Sequence, residues 1–418
     1  MIPRSILRFS MLFMASCLAT LPATEPEQWT RFRGPGGSGK ASLKNLPVDL
    51  SKDRYSWNVA LNGRGHGSAV IFGKKVFYTV TPDKPASTRC VVCVSTTDGS
   101  EVWRSSFPFK EYHLHQFNSF SSSTPAVDSQ RVYLWWAEKD STEVLALDHD
   151  GKVLWKQNQG SFKSQHGSGS SLALADGILL IQKENLGGDS FIAGLNPATG
   201  DTLWKHAMPT DTKTPYATPL IRDSKDGAEA IYASTDNGIV CLDTNTGKRK
   251  WVYDAKFEHR VVGSPVLSGE LLFASCGSGG GGKASITLHV PIDTTAPKEL
   301  YRLEKQLPYV PTGIGTDGLF FLVSDGGIGS CVDAKSGEQL WRQRLVGKCF
   351  SSPILVDDKI YVFGRDGDYQ VYKASRTFES LAEGEVGSGV HATPSVGDQR
   401  LFIRTDTRLI CIPAGKDT

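Results

Sequence analysis

Asp243-Thr244-Asn245-Thr246-Gly247-Lys248-Arg249-Lys250-Trp251 reads D-x-x-T-G-x-x-x-W, and the chain repeats it. The spacing returns from Asn196 to Trp204 around Gly200 and from Asp333 to Trp341 around Gly337. Ser95 to Trp103 keeps it around Gly99, and Leu145 to Trp155 contains a turn one residue shorter at Asp148-His149-Asp150-Gly151. Glycine allows a tight turn, while Asp and Thr side chains bond the local backbone. The tryptophan supplies a broad apolar body with one N–H. Two weaker copies fall where the period requires them: Asp293 to Tyr301, with Pro297 in the glycine place, and Lys373 to Leu381, with Thr377 there. Docking positions 103, 155, 204, 251, 301, 341 and 381 are 52, 49, 47, 50, 40 and 40 residues apart, close to the length of a four-stranded blade.

Working outward, each copy is preceded by the same strands. The first begins near a small residue and proline, as in Ser122-Ser123-Thr124-Pro125, Ala217-Thr218-Pro219, Gly263-Ser264-Pro265, Ser351-Ser352-Pro353 and Ala392-Thr393-Pro394. The second is apolar, as in Lys359 to Phe363, and a hairpin such as Asp236-Asn237-Gly238 or Asp325-Gly326-Gly327 leads to the third. One four-stranded sheet cannot bury both faces by itself, so blades stack around an axis with the aromatic wedged against the neighbour. Residues 391 to 413 supply three more strands and no docking residue. Tyr55 to Leu61, with Trp57, has the fourth-strand pattern at the other end of the chain. The expectation is an all-β, eight-bladed propeller of four-stranded blades over 57–415, its ring closed by an N-terminal strand so that no sheet edge stays open. Trp57, Trp103, Trp155, Trp204, Trp251, Tyr301 and Trp341 are its blade-docking residues.

Charge is nearly balanced, 46 Lys+Arg against 44 Asp+Glu, which argues against a nucleic-acid partner. Arg4, Arg8 and the apolar run Phe9 to Leu21 read as an export signal, too short for a membrane span. Two cleavage readings stand: an ordinary signal peptide over 1–23, or a lipoprotein signal over 1–16 that leaves Cys17 to be acylated. Residues 24–56 then form an N-terminal arm. Both readings place a monomeric chain in the periplasm or cell envelope.

The repeat resembles that of quinoprotein-type propellers, which include pyrroloquinoline-quinone (PQQ) dehydrogenases and BamB-like outer-membrane assembly scaffolds. Trp29-Thr30-Arg31-Phe32-Arg33-Gly34-Pro35-Gly36-Gly37-Ser38-Gly39 is similar to the W-x-x-F-R-G-P-x-G-x-G lead of a bacterial, largely planctomycetal branch of PQQ-like repeat proteins. The BamB-like resemblance implies a non-enzymatic envelope scaffold that binds a protein or peptide. The dehydrogenase resemblance implies the alternative, PQQ with calcium or another small-molecule or metal site at the propeller axis. It also implies a vicinal disulfide over the cofactor, and this sequence has no two adjacent cysteines. No catalytic residue, metal or cofactor is expected on that count.

Cys93, Cys241 and Cys331 share one repeat place, six residues before the turn glycine, where other blades have Ala146, Gly194, Pro291 and Val371. They read as small strand residues. Gly34 to Gly39-Lys40-Ala41 and Gly277 to Gly282-Lys283-Ala284 imitate phosphate loops, but Ala stands where magnesium binding needs Ser or Thr and no helix follows. The candidate ligand residues start the innermost strands: His66, Ser122, Ser168, Tyr216, Val262, Tyr309, Phe350 and His391 recur at one place that should face the central funnel. His66 and His391 fall on neighbouring blades, and His166 lies just before its place. His66, His166, Tyr216, Tyr309 and His391 are therefore the candidate funnel-rim site. The connection Glu111 to Asn118 should fold over the same mouth.

Overall fold

In the computed structural model, residues 28–82, 87–138 and 140–415 are described. The export signal and Cys17 lie outside them. Eight four-stranded antiparallel sheets form the ring, and among the described residues helix is confined to two three-residue 3-10 turns at Pro35–Gly37 and Lys52–Arg54. Among the described residues no helix is long and apolar enough to cross a membrane. Blade 1 comprises Val70–Phe72, Lys75–Val80, Thr88–Ser95 and Glu101–Pro108, and blades 2 to 7 follow in chain order. Blade 8 is composite: Ser395–Gly397, Arg400–Arg404 and Arg408–Pro413 come from the C-terminus, and Trp57–Ala60 pairs antiparallel with the last of them, Trp57 opposite Cys411.

Docking follows one rule around most of the ring. Five aromatics lie over the turn glycine of the next blade, Trp341 meets a turn with Thr377 in that place, and all six donate to a carbonyl two or three residues before it. Trp57 Nε1 reaches Thr96 O at 2.9 Å, Trp103 reaches His149 O at 2.8 Å and Trp155 reaches Pro197 O at 2.9 Å. Trp204 reaches Thr244 O at 3.0 Å, the Tyr301 hydroxyl reaches Ala334 O at 3.0 Å and Trp341 reaches Ser375 O at 3.1 Å. Trp251 is the exception. Its neighbour carries the turn with Pro297 in place of glycine, and the buried Trp251 Nε1 finds no partner.

Strand register corrects two positions. In blade 7 Val371 pairs with Ala382 and Tyr372 with Ser380, so the bulge skips Leu381, as it skips Leu340 in blade 6. Ala382, not Leu381, occupies the docking place. Blade 8 has no tight turn there because its fourth strand comes from the other end of the chain, so a large ring has nothing to rest on. In blade 5 Tyr301 pairs with Thr287, not Pro291, because that turn is longer. Cys93, Cys241 and Cys331 face their tryptophans in this register, and Cys411 faces Trp57 in the same way. The seven described cysteines are free and buried.

A second set of bonds joins the innermost strands. The Ser68 amide donates to Thr124 Oγ1, Thr124 to Ser171, Ser171 to Thr218 and Thr218 to Ser264. Ser264 continues to Thr312, Thr312 to Ser352 and Ser352 to Thr393, all seven bonds falling between 2.9 and 3.1 Å. This belt explains the hydroxyl residue before proline: it caps the neighbouring blade's amide, each bond contributing about 1 kcal/mol net. The belt opens between blades 8 and 1, where the buried Ser68 hydroxyl has no partner and the Ser395 hydroxyl donates instead to Ala69 O at 2.6 Å.

The N-terminal segment runs across one end of the ring. Trp29 bridges to Ile71 in blade 1, and Thr30 O accepts from Val127 N in blade 2. Arg31 Nη2 reaches Pro219 O in blade 4 at 2.6 Å. Arg33 donates to Thr312 O and Gly313 O in blade 6, Pro353 O in blade 7, and its own turn at Gly37 O and Ser38 O. Lys40–Ala41 then adds a fifth, parallel strand to blade 7. Burial lowers the Arg33 guanidinium to about 9 and Arg31 to about 10. Both stay charged at neutral pH. Residues 34 to 39, the first imitation of a phosphate loop, are a turn packed under Trp29 and against Ile221 O.

Docking makes a measurable demand on the turn. A Cβ at Gly247 would fall 2.3 Å from the Trp204 ring, whereas one at Gly177 would meet nothing within 4 Å, though both residues have positive φ. Gly177→Ala should cost about 1 kcal/mol for backbone strain. Gly247→Ala should cost a further 1–3 kcal/mol, on the order of other overpacking changes. Equilibrium denaturation of the two variants checks this, and equal losses would show that the ring contact does not set the turn.

Candidate functional site

The starts of the innermost strands converge on the axis, where they enclose a chamber of about 610 Å³. That volume lies within the range of small-molecule sites. His66, Ser122, Tyr216, Val262, Tyr309, Phe350 and His391 from the predicted place line it, as does His166. Ser168 does not. The hydroxyls of the belt form the chamber's lower wall, and Phe32 of the crossing arm is its floor.

The connection after blade 1 covers part of the mouth. His115, Phe117 and Asn118 line the chamber, and Asn118 Nδ2 ties the loop to His166 O at 2.7 Å and Ser168 O at 3.0 Å. Phe117 reaches across to blade 7, where its ring meets Phe350 edge-on at 5.5 Å. Its side chain remains 41 % exposed, so the lip is aromatic and open to solvent.

Two groups of one arginine and two histidines face the chamber. His66 and His391 stack with ring centroids 4.6 Å apart. His391 Nδ1 lies 3.0 Å from Asp406 Oδ1, and Arg365 Nε donates to His391 Nε2 at 3.4 Å. These partners assign the His391 proton to Nδ1. On the other side His115 meets His166 edge-on at 4.7 Å, and Arg260 Nη1 lies 2.7 Å from His166 Nε2 while Nη2 bonds Gln165. Burial holds His66 down to about 3, helped by His391 and Arg404. Burial and then Arg260 lower His166. Both imidazoles are neutral near pH 7.

Sequence reasoning found the histidines and tyrosines but not the charged groups. Arg260, Asp325, Lys348 and Arg365 also line the chamber. Asp325 and Arg365 occupy the hairpin between the second and third strands of blades 6 and 7, a place that reads as turn chemistry alone. Burial raises Asp325 to about 6 against the Tyr309 and Val310 amides, which donate to it. A charged side chain within a hairpin otherwise built of Gly, Asn and Asp was the available signal.

Among the described residues, only His66, His391 and Asp406 form a His, Cys, Asp or Glu group close enough to share an ion, with ligand atoms within 4.8 Å of one another. Two imidazoles and one carboxylate suit a transition metal, not calcium. Arg365 already occupies His391 Nε2, and the Arg404 charge acts on His66. Those cations oppose a metal.

The family described as outer membrane protein assembly factor BamB matches residues 47–283 and 302–381. Among solved structures, BamB from Moraxella catarrhalis is 16% identical with a TM-score of 0.61, covering 86% of this chain and 97% of that one. The quinohemoprotein alcohol dehydrogenase ADHIIG from Pseudomonas putida HK5 is 11% identical with a TM-score of 0.63, covering 94% of this chain and 81% of that one. A quinohemoprotein alcohol dehydrogenase from Comamonas testosteroni is 15% identical with a TM-score of 0.60 and the same two coverages. At these identities the likeness is one of fold. Among curated proteins none matches at a significant level.

The neutral state of His66 has a sign that can be measured. Its folded pKa of about 3 lies below the ordinary value of 6.5, so between them the unfolded chain binds the extra proton. Stability is therefore lost as pH falls below about 6.5. By pH 5 wild type should lose up to about 2 kcal/mol more than His66→Gln, at 1.36 kcal/mol per pH unit. Denaturation midpoints at pH 7 and pH 5 test this, and parallel losses would mean that His66 is not held neutral.

Proposed function

The chain belongs to the family of outer membrane protein assembly factor BamB, and from that premise we propose that it is a non-enzymatic scaffold of the cell envelope. It holds a protein or peptide partner at the mouth of its axial funnel. The observation that carries this reading is the lip: Phe117 stands exposed on a loop anchored by Asn118, above a chamber with cationic and aromatic walls. Exposed aromatic anchors beside a pocket are what peptide recognition uses. The scaffold works as a monomer, exported to the periplasm or envelope and, where Cys17 is acylated, tethered to a membrane.

The chamber's volume favours a second reading, a small molecule at the axis, and the dehydrogenase neighbours suggest PQQ with calcium. The residues present do not fit that pair. Asp325 accepts two backbone amides, Asp406 is engaged by His391, and Asn118 donates to two carbonyls, so no oxygen-rich set converges for calcium. No adjacent cysteines are present to cover a quinone.

Photo-crosslinking in envelope extract separates these readings. A benzophenone amino acid in place of Phe117 should capture a partner that excess unlabelled protein competes away. The same probe at Leu154, exposed on the outer strand of blade 2, should not. Capture from Leu154 alone would move the interface to the outer rim. Saturable PQQ binding with calcium-dependent dye reduction would replace the scaffold by an enzyme.

A further inference from the structure

The chamber wall contains one polar group whose free edge is selected by its surroundings. The Arg365 guanidinium lies 4.4 Å from the ring centre of Phe117 and 4.4 Å from that of Phe350, and those centres are 5.5 Å from each other, so the two edge-on rings form an aromatic corner on one side of it. Its Nε is directed to His391. The Nη pair has no acid partner, and neither Nη is among the buried polar atoms that lack one, so this edge meets the chamber's solvent. Lys348 lines the same wall, and its carbonyl accepts the Arg365 amide, so the two residues are backbone neighbours there. Neither is among the ion pairs formed by described residues, and Arg260 on the opposite side has none either. Asp325 is the one carboxylate on the chamber lining, and Asp406 is held behind His391. Asp366 is exposed next to Arg365, and the nearby Asp368 accepts the Gly347 amide.

A planar guanidinium packed into an aromatic corner, with its Nε engaged, presents two parallel N–H donors, the fork that matches a carboxylate. The phenyl rings around it do two things. They fix the fork, so little side-chain entropy is lost when a ligand binds, and they offer apolar surface to whatever carries the carboxylate. A metal ion or a basic ligand would meet uncompensated positive charge instead. The neutral histidines add hydrogen bonds without adding charge that would have to be neutralised.

We propose that Arg365, assisted by Lys348, is a carboxylate clamp, and that the partner segment entering the funnel is the free C-terminal carboxylate of a peptide whose last side chain is apolar. This inference rests on the scaffold reading above and specifies the chemistry of its partner. The C-terminus is favoured over an internal acidic side chain because the chamber is floored by Phe32 and closed below by the crossing arm, so a chain can enter but not pass through.

The test uses the full exported chain with acetyl-Ala-Ala-Leu as the free acid and as the amide, and with phenylacetate, measured by calorimetry at low and at physiological salt. The free acid should bind, amidation should weaken binding at least tenfold, and added salt should weaken the acid but not the amide. Arg365→Gln should lose tenfold or more. Arg365→Lys, which keeps the charge and loses the fork, should lose most of that. Melting curves establish that both variants are folded, and Lys348→Gln provides a second variant outside the aromatic corner, expected to lose several-fold. Equal affinity for acid and amide, no binding of either, or undiminished binding by both Arg365 variants would overturn the clamp. Phenylacetate binding more tightly than the peptide would overturn the chain-end assignment in favour of a free organic acid. Crosslinking from Phe117 that persists when carboxylate binding fails would leave the scaffold standing without the clamp.

Discussion

Everything in this ring depends on an aromatic side chain from one blade settling over the turn glycine of the next. A four-stranded sheet has two faces to bury and one partner on each side, so the contact between neighbours must be specific as well as apolar. The indole supplies both parts: its body packs on the glycine, and its N–H is satisfied by a carbonyl of the same turn. The turn cannot vary without disturbing the neighbouring blade. Trp251 shows the effect of a broken match, since its partner turn is longer and its N–H is left buried and unpaired, whereas Trp341 docks on a turn that also lacks glycine and still reaches the Ser375 carbonyl. Ala382 shows the converse, a docking place without a ring where the chain leaves no turn to dock on.

This coupling between blades is why so much of the fold was legible. Glycine and tryptophan at fixed spacing are constraints imposed by local sterics, and local sterics leave a trace in the sequence. The split blade was legible for the same reason, because Trp57 keeps the pattern although its blade mates lie at the far end of the chain. Where the reading slipped, it did so through counting. A turn of different length moves every residue counted from its glycine place, which misplaced Pro291 in blade 5 and, by one residue in blade 7, put Leu381 where Ala382 belongs. Register is fixed by pairing with another strand, and no count along one chain contains it.

The chamber was legible in outline only. Alignment on the hydroxyl-proline step found the residues that point inward because they share a strand position and a period. The hydroxyl itself looked like a strand-start preference, whereas the structure gives it a partner in the next blade. Arg260 and Lys348 stand two residues before Val262 and Phe350, and Arg365 shares its hairpin place with Asp236 and Asp325, so their places recur around the ring while the residue at each place varies. They reach the axis from the residues before a strand or from a hairpin, and only the closing of the ring brings them together. Phe32 and Arg33 are the extreme case: their role is set by blades 6 and 7, about 280 residues and more along the chain.

The separation between repeated and unrepeated residues has an electrostatic consequence. The docking and belt positions are apolar or neutral hydrogen-bonders, so these contacts repeat around the ring without accumulating like charge at its centre. Charge enters the axis at places where the residue type varies from blade to blade. Arg31 and Arg33 are stabilised by backbone carbonyls, with no carboxylate against them, and Arg404 likewise reaches Gly67 O and Thr79 O. Carbonyl dipoles satisfy the hydrogen bonds of a guanidinium but do not cancel its charge. The floor and one wall therefore carry net positive charge next to a low-dielectric interior, where it is poorly screened. Desolvation first and that field second keep His66 and His166 neutral, and a carboxylate entering the funnel meets the charge that the fold itself leaves unbalanced.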